Sequence, residues 1–216
     1  MPLEIRPVSP ADADAMVSIT NAALGSSGLI RLKHASPPHP AYRRHHKAGV
    51  LKALAKPTAR VLKVVDTDTD DDEIIAIGHW EIYDNGRPDE EIAELEKPFE
   101  PLEEERERFG VVQRDFFEYL FRVRREVGKM PHYYLSLLVT HPDHYRRGAG
   151  SMIVRWGTER ADRDGLVCIL EASEAGRPLY KRHGFVERVV TTFDLTKYGG
   201  TGTDENTTMI RQAVEG

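Results

Sequence analysis

The chain has 216 residues, 40% of them apolar, and its 30 basic and 35 acidic side chains give a net charge of −5. That suffices for one ordinary domain with its own core, and it excludes a disordered tail, a collagen-like fibre and a mini-protein that needs disulfide or metal staples. There is no long-range basic field to hold DNA or an anionic membrane, and the single cysteine, Cys168, excludes an intrachain disulfide and a cysteine-rich zinc site.

The start, Met-Pro-Leu-Glu-Ile-Arg, lacks the basic opening and long apolar run of a signal peptide. No run approaches the roughly 20 apolar residues that span a bilayer, so a cytoplasmic location is expected. Leu3, Ile5 and Pro7 alternate with polar residues as a short strand. Asp12 to Leu24 has helical periodicity, which Gly25 to Gly28 stops. His34 to Pro40 is turn-rich, and Ala41 to Ala55 is helix-permissive up to Pro57. The cluster Tyr42 to Lys47 is basic, and reads as a solvated helix face or as a seat for an anionic group.

Two strands follow, Arg60 to Val65 and Ile74 to Tyr83. The acids between them start like a calcium loop, but Asp71 stands where that loop needs Gly and Ile77 where it needs Glu, so a solvated hairpin turn is expected. Residues 84 to 131 change character. An acid-rich stretch broken by Pro98 and Pro101 precedes Phe116, Leu120, Val123 and Val127 at helical spacing. With no second core in evidence, this segment reads as a helical insertion on a single domain spanning 1–216.

Tyr133 to Thr140 reads as a strand ended by Pro142, and Gly148 to Arg163 as a helix closed by Gly165. Leu166 to Leu170 is a buried strand. Ser173 is expected to cap a short helix ending at His183-Gly184, and Val186 to Leu195 returns as a strand. From about residue 199 the tail is loosely specified. The order predicts a mixed α/β fold with a largely antiparallel front half and a β-α-β unit behind it.

The chemistry concentrates in Thr140-His141-Pro142-Asp143-His144-Tyr145-Arg146-Arg147-Gly148-Ala149-Gly150-Ser151. A strand ends, two arginines follow, and a helix opens on Gly-x-Gly. Free N–H groups at a helix start attract anions, and the glycines let a ligand approach the backbone, which suits a pyrophosphate. No Gly-Lys-Ser/Thr follows, so this is not a Walker loop, and only two of the three dinucleotide glycines are present. The nine histidines show no zinc spacing, and no metal is expected.

These residues resemble the GCN5-related N-acetyltransferases (GNAT). Leu138, Thr140 and Pro142 fall on the strand of that family's signature, and Arg146-Arg147-Gly148-Ala149-Gly150 on its loop. Leu179-Tyr180-Lys181-Arg182-His183-Gly184-Phe185 matches its second element, Leu-Tyr-x-x-x-Gly-Phe, at the required spacing. The clear resemblance covers residues 132 to 190. Glu171-Ala172-Ser173 and Gly176-Arg177-Pro178 look like fungal-type members.

The resemblance implies a twisted, mixed, mostly antiparallel sheet flanked by helices, binding acetyl-CoA as acyl donor. Leu138, Val139 and Thr140 would pair with the pantetheine arm, and a backbone N–H near Val139 would polarise the thioester carbonyl. Tyr145, Arg146, Arg147, Gly148, Ala149, Gly150 and Ser151 would hold the pyrophosphate through backbone amides. Tyr145 replaces the Gln or Arg the family prefers, and Ser173 an Asn that often touches the cofactor. Tyr180 would protonate the leaving thiolate, its free pKa of about 10 being close to that of the thiol; its other reading is a core aromatic. Cys168 takes the place of a Glu base found in some protein-acetylating members and reads as a small buried residue.

A base must take a proton from the incoming ammonium. Glu81 is the first candidate and Glu171 the second, with Asp84, His79 or a water relay behind them. The expected function is direct acetyl transfer to a primary amine of a small molecule or peptide, without an acyl-enzyme. The insertion is expected to wall the acceptor site; its Phe116, Phe117, Tyr119 and Phe121 would either contact an apolar acceptor or, the commoner use of such residues, pack in the core. The expected protein is a monomer or homodimer with no nucleic-acid or membrane partner. The rival readings are a non-catalytic acyl-CoA-binding or regulatory module on the same fold, and a nucleotide-binding enzyme of another kind.

Overall fold

The computed structural model of the chain describes residues 2–24, 28–33, 40–69 and 71–214. Its strands are β1 (Leu3–Pro7), β2 (Ala59–Asp66), β3 (Glu73–Tyr83), β4 (His132–Thr140), β5 (Val167–Ser173), β6 (Val186–Asp194) and β7 (Thr203–Arg211). Its helices are α1 (Ala13–Leu24), α2 (Gly28–Leu32), α3 (Pro40–Leu54), α4 (Asp89–Leu95), α5 (Glu103–Val127), α6 (Ala149–Asp164) and α7 (Arg177–Arg182). The strands form one sheet in the order β1-β2-β3-β4-β5-β7-β6. Every pairing is antiparallel except β4 with β5. This is the expected mixed α/β fold with a mostly antiparallel sheet flanked by helices.

Alternation along the strands sends side chains to two layers. On one face Ile153, Val154 and Ala161 of α6 pack with Leu62, Trp80, Leu135 and Leu170. On the other, α1 and α3 cover Val61, Ile77 and Val139. Further along that face α5 presses Phe116 and Tyr119 against Phe193 of β6. Acids fill the first turn of α5 and Arg124 and Arg125 its last, which suits the helix dipole.

The position of α6 is set by two glycines. A Cβ on Gly78 of β3 would meet Ile153 Cγ2 at 2.2 Å, and one on Gly157 of α6 would meet the Trp80 ring at 2.2 Å. The indole Nε1 of Trp80 also donates to the Ile153 carbonyl at 3.1 Å. Helix and sheet therefore touch at backbone distance.

Several expectations are corrected. The tail from about 199 is not loosely specified beyond its glycines: Thr203–Arg211 is a strand lying between β5 and β6, with Thr207 and Met209 fully buried. Gly28 opens a short helix instead of ending one. Residues 25–27 of that expected stop, and 34–39 of the turn-rich stretch, lie outside the described residues. Ser173 does not cap α7. It ends β5, Gly176 is the N-cap, and the Ser173 hydroxyl accepts from Gly176 N–H at 3.3 Å, closing the turn between them.

Gly157→Ala should destabilise the protein by about 1–3 kcal/mol, the usual cost of forcing extra volume into a packed core. Urea denaturation of both proteins would measure it.

Candidate active site

The sheet opens between its two parallel strands. Pairing of β4 with β5 runs from His132↔Val167 to Leu135↔Leu170 and stops there. Beyond that point β4 continues to Thr140 on β3 alone, from Leu137↔His79 to Thr140↔Ala76. A bulge lies at the parting: Trp80 faces Leu135 and His79 faces Leu137, so Ser136 is the extra residue, and its hydroxyl donates to the His79 carbonyl at 3.1 Å. A bulge turns the following side chains to the opposite faces. Leu135 and then Leu138 point to the α6 layer, while Leu137 and Val139 point to the α1 layer. Among the described residues no strand pairs the β5-facing edge of β4 from Ser136 to Thr140.

That open edge leads into the loop before α6. A short 3-10 turn, Pro142–His144, is followed by exposed Tyr145 and by Arg146 at φ +64°. Gly148, at φ +92°, is the N-cap of α6 and offers no side chain to its first amides. A Cβ at Gly148 would enter open space, while one at Gly150 would stand 3.2 Å from Leu179 of α7. The helix start is thus uncapped and its approach is clear, the condition for anion binding by amides.

Two predicted loop residues have their side chains engaged. Arg147 donates to Asp66 Oδ2 at 2.5 Å and stands 2.8 Å from His144 Nδ1, bracing the loop against β2. This guanidinium, with help from the Asp68 amide, holds the Asp66 carboxyl below its ordinary value. The Ser151 hydroxyl stands 2.8 Å from His183 Nε2 and ties α6 to the end of α7.

The catalytic candidates separate onto the two faces. Tyr180 lies in the α6 layer with Leu135, Ala172 and Phe185. It is 7% exposed, and burial alone raises its phenol pKa. It is therefore a proton donor at neutral pH. Its hydroxyl has no hydrogen-bond partner among the described residues.

Glu81 and Glu171 lie on the opposite face. Burial raises the Glu81 pKa, but Arg124, the Tyr83 hydroxyl at 2.6 Å, His79 and Lys56 outweigh it and leave the carboxyl below its ordinary value. Arg87 Nη1 is 3.6 Å away, and Lys56 Nζ and His79 Nε2 are each 3.9 Å away. Glu171 has the reverse sign. Burial dominates over Arg124 and a hydrogen bond from the Tyr134 hydroxyl, and the carboxyl titrates above its ordinary value. Burial lowers the His79 pKa, favouring neutral imidazole. Asp84 is exposed beside Asn85 and joins neither group. Cys168 is buried with its thiol pushed up to about 12, an inert core residue.

The cations and phenols around these carboxylates escaped sequence reading. Arg124 sits on a strongly charged helix among residues that read as solvent faces, and Tyr134 is one of two adjacent strand tyrosines. Tyr133 goes to the α6 layer and Tyr134 beneath α5, and only the sheet register separates them. Of the insertion aromatics, Phe116 and Tyr119 are spent on packing, and Phe117 stacks on Phe99 with ring centroids 4.0 Å apart.

Residues 103–187, from the start of α5 through the open edge, the Gly148 loop and Tyr180, match the family model of the acetyltransferase (GNAT) domain. N-acetyltransferase is the enzyme class that this match supports. A search of curated proteins gives no sequence match.

Among solved structures the fold is shared over nearly the whole chain. An arylalkylamine N-acetyltransferase 2 from Aedes aegypti superposes with a TM-score of 0.65 at 14% identity, covering 99% of this chain and 100% of that one. A Drosophila melanogaster polyamine N-acetyltransferase gives 0.65 at 15%, covering 98% and 100%. A structure described as histone acetyltransferase HPA2 and related acetyltransferase, from Corynebacterium glutamicum, gives 0.62 at 19%, covering 100% and 99%. Among the described residues no group of three His, Cys, Asp or Glu is placed to hold a metal, and no helix is long and apolar enough to cross a membrane.

Asp66→Asn should lower the melting temperature at pH 7 by releasing Arg147. Because the Asp66 pKa is depressed in the folded state, the pair contributes fully above the ordinary carboxylate pKa of about 4 and is lost as pH falls through the folded value. The gap between wild-type and mutant melting curves should therefore close in acid.

Proposed function

We propose that the protein is an acetyl-CoA-dependent N-acetyltransferase that passes the acetyl group directly to a primary amine of a small molecule or peptide. The observation that carries this reading is the unpaired β4 edge beyond Leu135, continuous with the uncapped start of α6 and lying inside the matched domain. The amine acceptor draws support from the structural neighbours described as polyamine and arylalkylamine N-acetyltransferases.

In this reading the backbone of Leu138, Val139 and Thr140 pairs with the pantetheine arm. The amides of Tyr145, Arg146, Arg147, Gly148, Ala149, Gly150 and Ser151 take the pyrophosphate, and Ser173 borders the donor at the end of β5. An N–H near Val139 polarises the thioester carbonyl. The acceptor ammonium gives a proton to Glu81 or Glu171, and the freed amine forms a C–N bond with the acetyl carbon. As the C–S bond breaks, Tyr180 supplies the thiolate with a proton, and the second proton that the nitrogen sheds on becoming an amide restores the phenol.

The opening between β4 and β5 is what lets an acid in one layer and a base in the other serve one substrate. The whole chain is taken as one domain, with residues 84–131 as the insertion that walls the acceptor side. It works in the cytoplasm as a monomer or homodimer, with neither nucleic acid nor membrane as partner. The fungal-type assignment is part of this proposal and stands on Glu171-Ala172-Ser173 and Gly176-Arg177-Pro178.

Calorimetric titration should give micromolar binding of acetyl-CoA and none of ATP or NAD. Gly148→Val should abolish that binding, because the positive φ and the clear approach are both lost. Tyr180→Phe should bind acetyl-CoA normally and lose about 10²-fold in turnover, read from thiol release with an amine panel. Binding without turnover in the wild type would instead favour a non-catalytic acyl-CoA module.

A further inference from the structure

Three side chains from three elements form one line under α5. Arg124 Nε of α5 donates to the Tyr134 hydroxyl of β4 at 3.0 Å, and that hydroxyl donates onward to Glu171 Oε2 of β5. A phenol has a single proton, so with Arg124 feeding its oxygen the Tyr134 proton is committed to the carboxylate. The other carboxylate oxygen, Glu171 Oε1, is enclosed and has no hydrogen-bond partner among the described residues. Glu171 follows directly on Leu170, the last residue of β5 that pairs with β4. It therefore stands at the mouth of the opening.

We propose that Glu171 is the base of the reaction, and that Arg124 and Tyr134 are positioning residues that pin its Oε2 and leave Oε1 to receive the acceptor's proton. This rests on the acetyl-transfer reading above. One N–H bond of the ammonium breaks as its proton passes to Glu171 Oε1. The nitrogen lone pair then attacks the acetyl carbon; the C–S bond breaks as Tyr180 protonates the thiolate, the second proton that the nitrogen sheds on becoming an amide restores the Tyr180 phenol, and Glu171 returns the first proton to solvent.

The rival base is poorly suited to this task. Glu81 has Arg87 and the Tyr83 hydroxyl, whose proton it shares with Glu91, at Oε2, and Lys56 and His79 at Oε1, so both its oxygens face cations or donors. Such surroundings keep it ionised but make it a weak proton acceptor. The groups around Glu171 are Arg124 and Tyr119 of α5, Tyr134 of β4, its own backbone N–H and Arg87 from the loop before α4, with uncharged Thr208 opposite on β7. Burial exceeds their combined pull, which moves this carboxyl toward the operating pH of a general base.

The test uses the full chain with acetyl-CoA and two probe amines, spermidine and tryptamine. Glu171→Gln should lose about 10²–10⁴-fold in kcat and flatten the acidic limb of the pH–rate profile. Tyr134→Phe and Arg124→Met keep the carboxyl but remove its support, so the limb should move up by about 1 pH unit, and Arg124→Lys should restore part of that shift. Difference infrared titration gives a readout independent of turnover. The carboxyl band missing in Glu171→Gln should titrate above the ordinary glutamate range in the wild type and higher still in Tyr134→Phe.

A limb and a band that stay in place in Tyr134→Phe, whatever happens to the rate, would overturn the positioning role. An acidic limb that vanishes in Glu81→Gln instead would overturn Glu171 as base. Absence of acetyl-CoA binding to the wild type would fail the acetyl-transfer reading itself, and calorimetry separates that failure from the other two.

Discussion

The site depends on β4 being held on one side only beyond Leu135. Backbone amides and carbonyls on a strand edge must find partners, and burial makes an unmade bond costly. In β4 the requirement is met by β3 along the whole strand but by β5 only as far as Leu135. The remaining edge is a template for an extended, polar, amide-bearing chain. The strand stays in place without its second neighbour because α6 is locked onto β3 through Gly78, Gly157 and the Trp80–Ile153 bond. Close packing of helix on sheet thus pays for an opening beside it.

The same opening resolves a geometric difficulty. A continuous sheet would separate a phenol in the α6 layer from carboxylates beneath α5. Tyr180 and Glu171 are raised in pKa chiefly by the same cause, burial, yet with opposite chemical results. Desolvation keeps a phenol protonated and so a donor, whereas it makes a carboxylate a stronger proton acceptor. In the proposed reaction, acid and base on the two sides of one gap need no network linking them, only a substrate that passes through it.

How much of this was legible in the sequence depends on whether local chemistry or register decides. Gly148 and the arginines before it are legible because a helix opening on Gly-x-Gly after a strand has few physical uses. Most strands show through their alternation. β7 does not: Thr203 to Thr208 is polar, and it becomes a strand because β5 and β6 stand ready on its two sides. In Leu135-Ser136-Leu137-Leu138 no residue is marked as the bulged one, yet that choice assigns every later side chain of β4 to its face. Ser173 misleads for a related reason. A serine near a helix start is a natural cap, but β5 runs on for three residues beyond Leu170 and takes it up.

The two adjacent arginines near the end of α5 show why the insertion is more than a wall. Arg125 reaches away from the sheet, donating to the Leu95 carbonyl at 2.6 Å and to Glu118, and so fixes α4 against α5. Arg124, about 100° further back around the helix, reaches the Tyr134 hydroxyl beneath α5. A helix dipole favours either cation in the last turn, so local energetics do not distinguish them. What distinguishes them is the rotation of α5, set two turns earlier by Phe116 and Tyr119 against Phe193. These packed aromatics therefore fix the angle at which one guanidinium meets the Tyr134 hydroxyl.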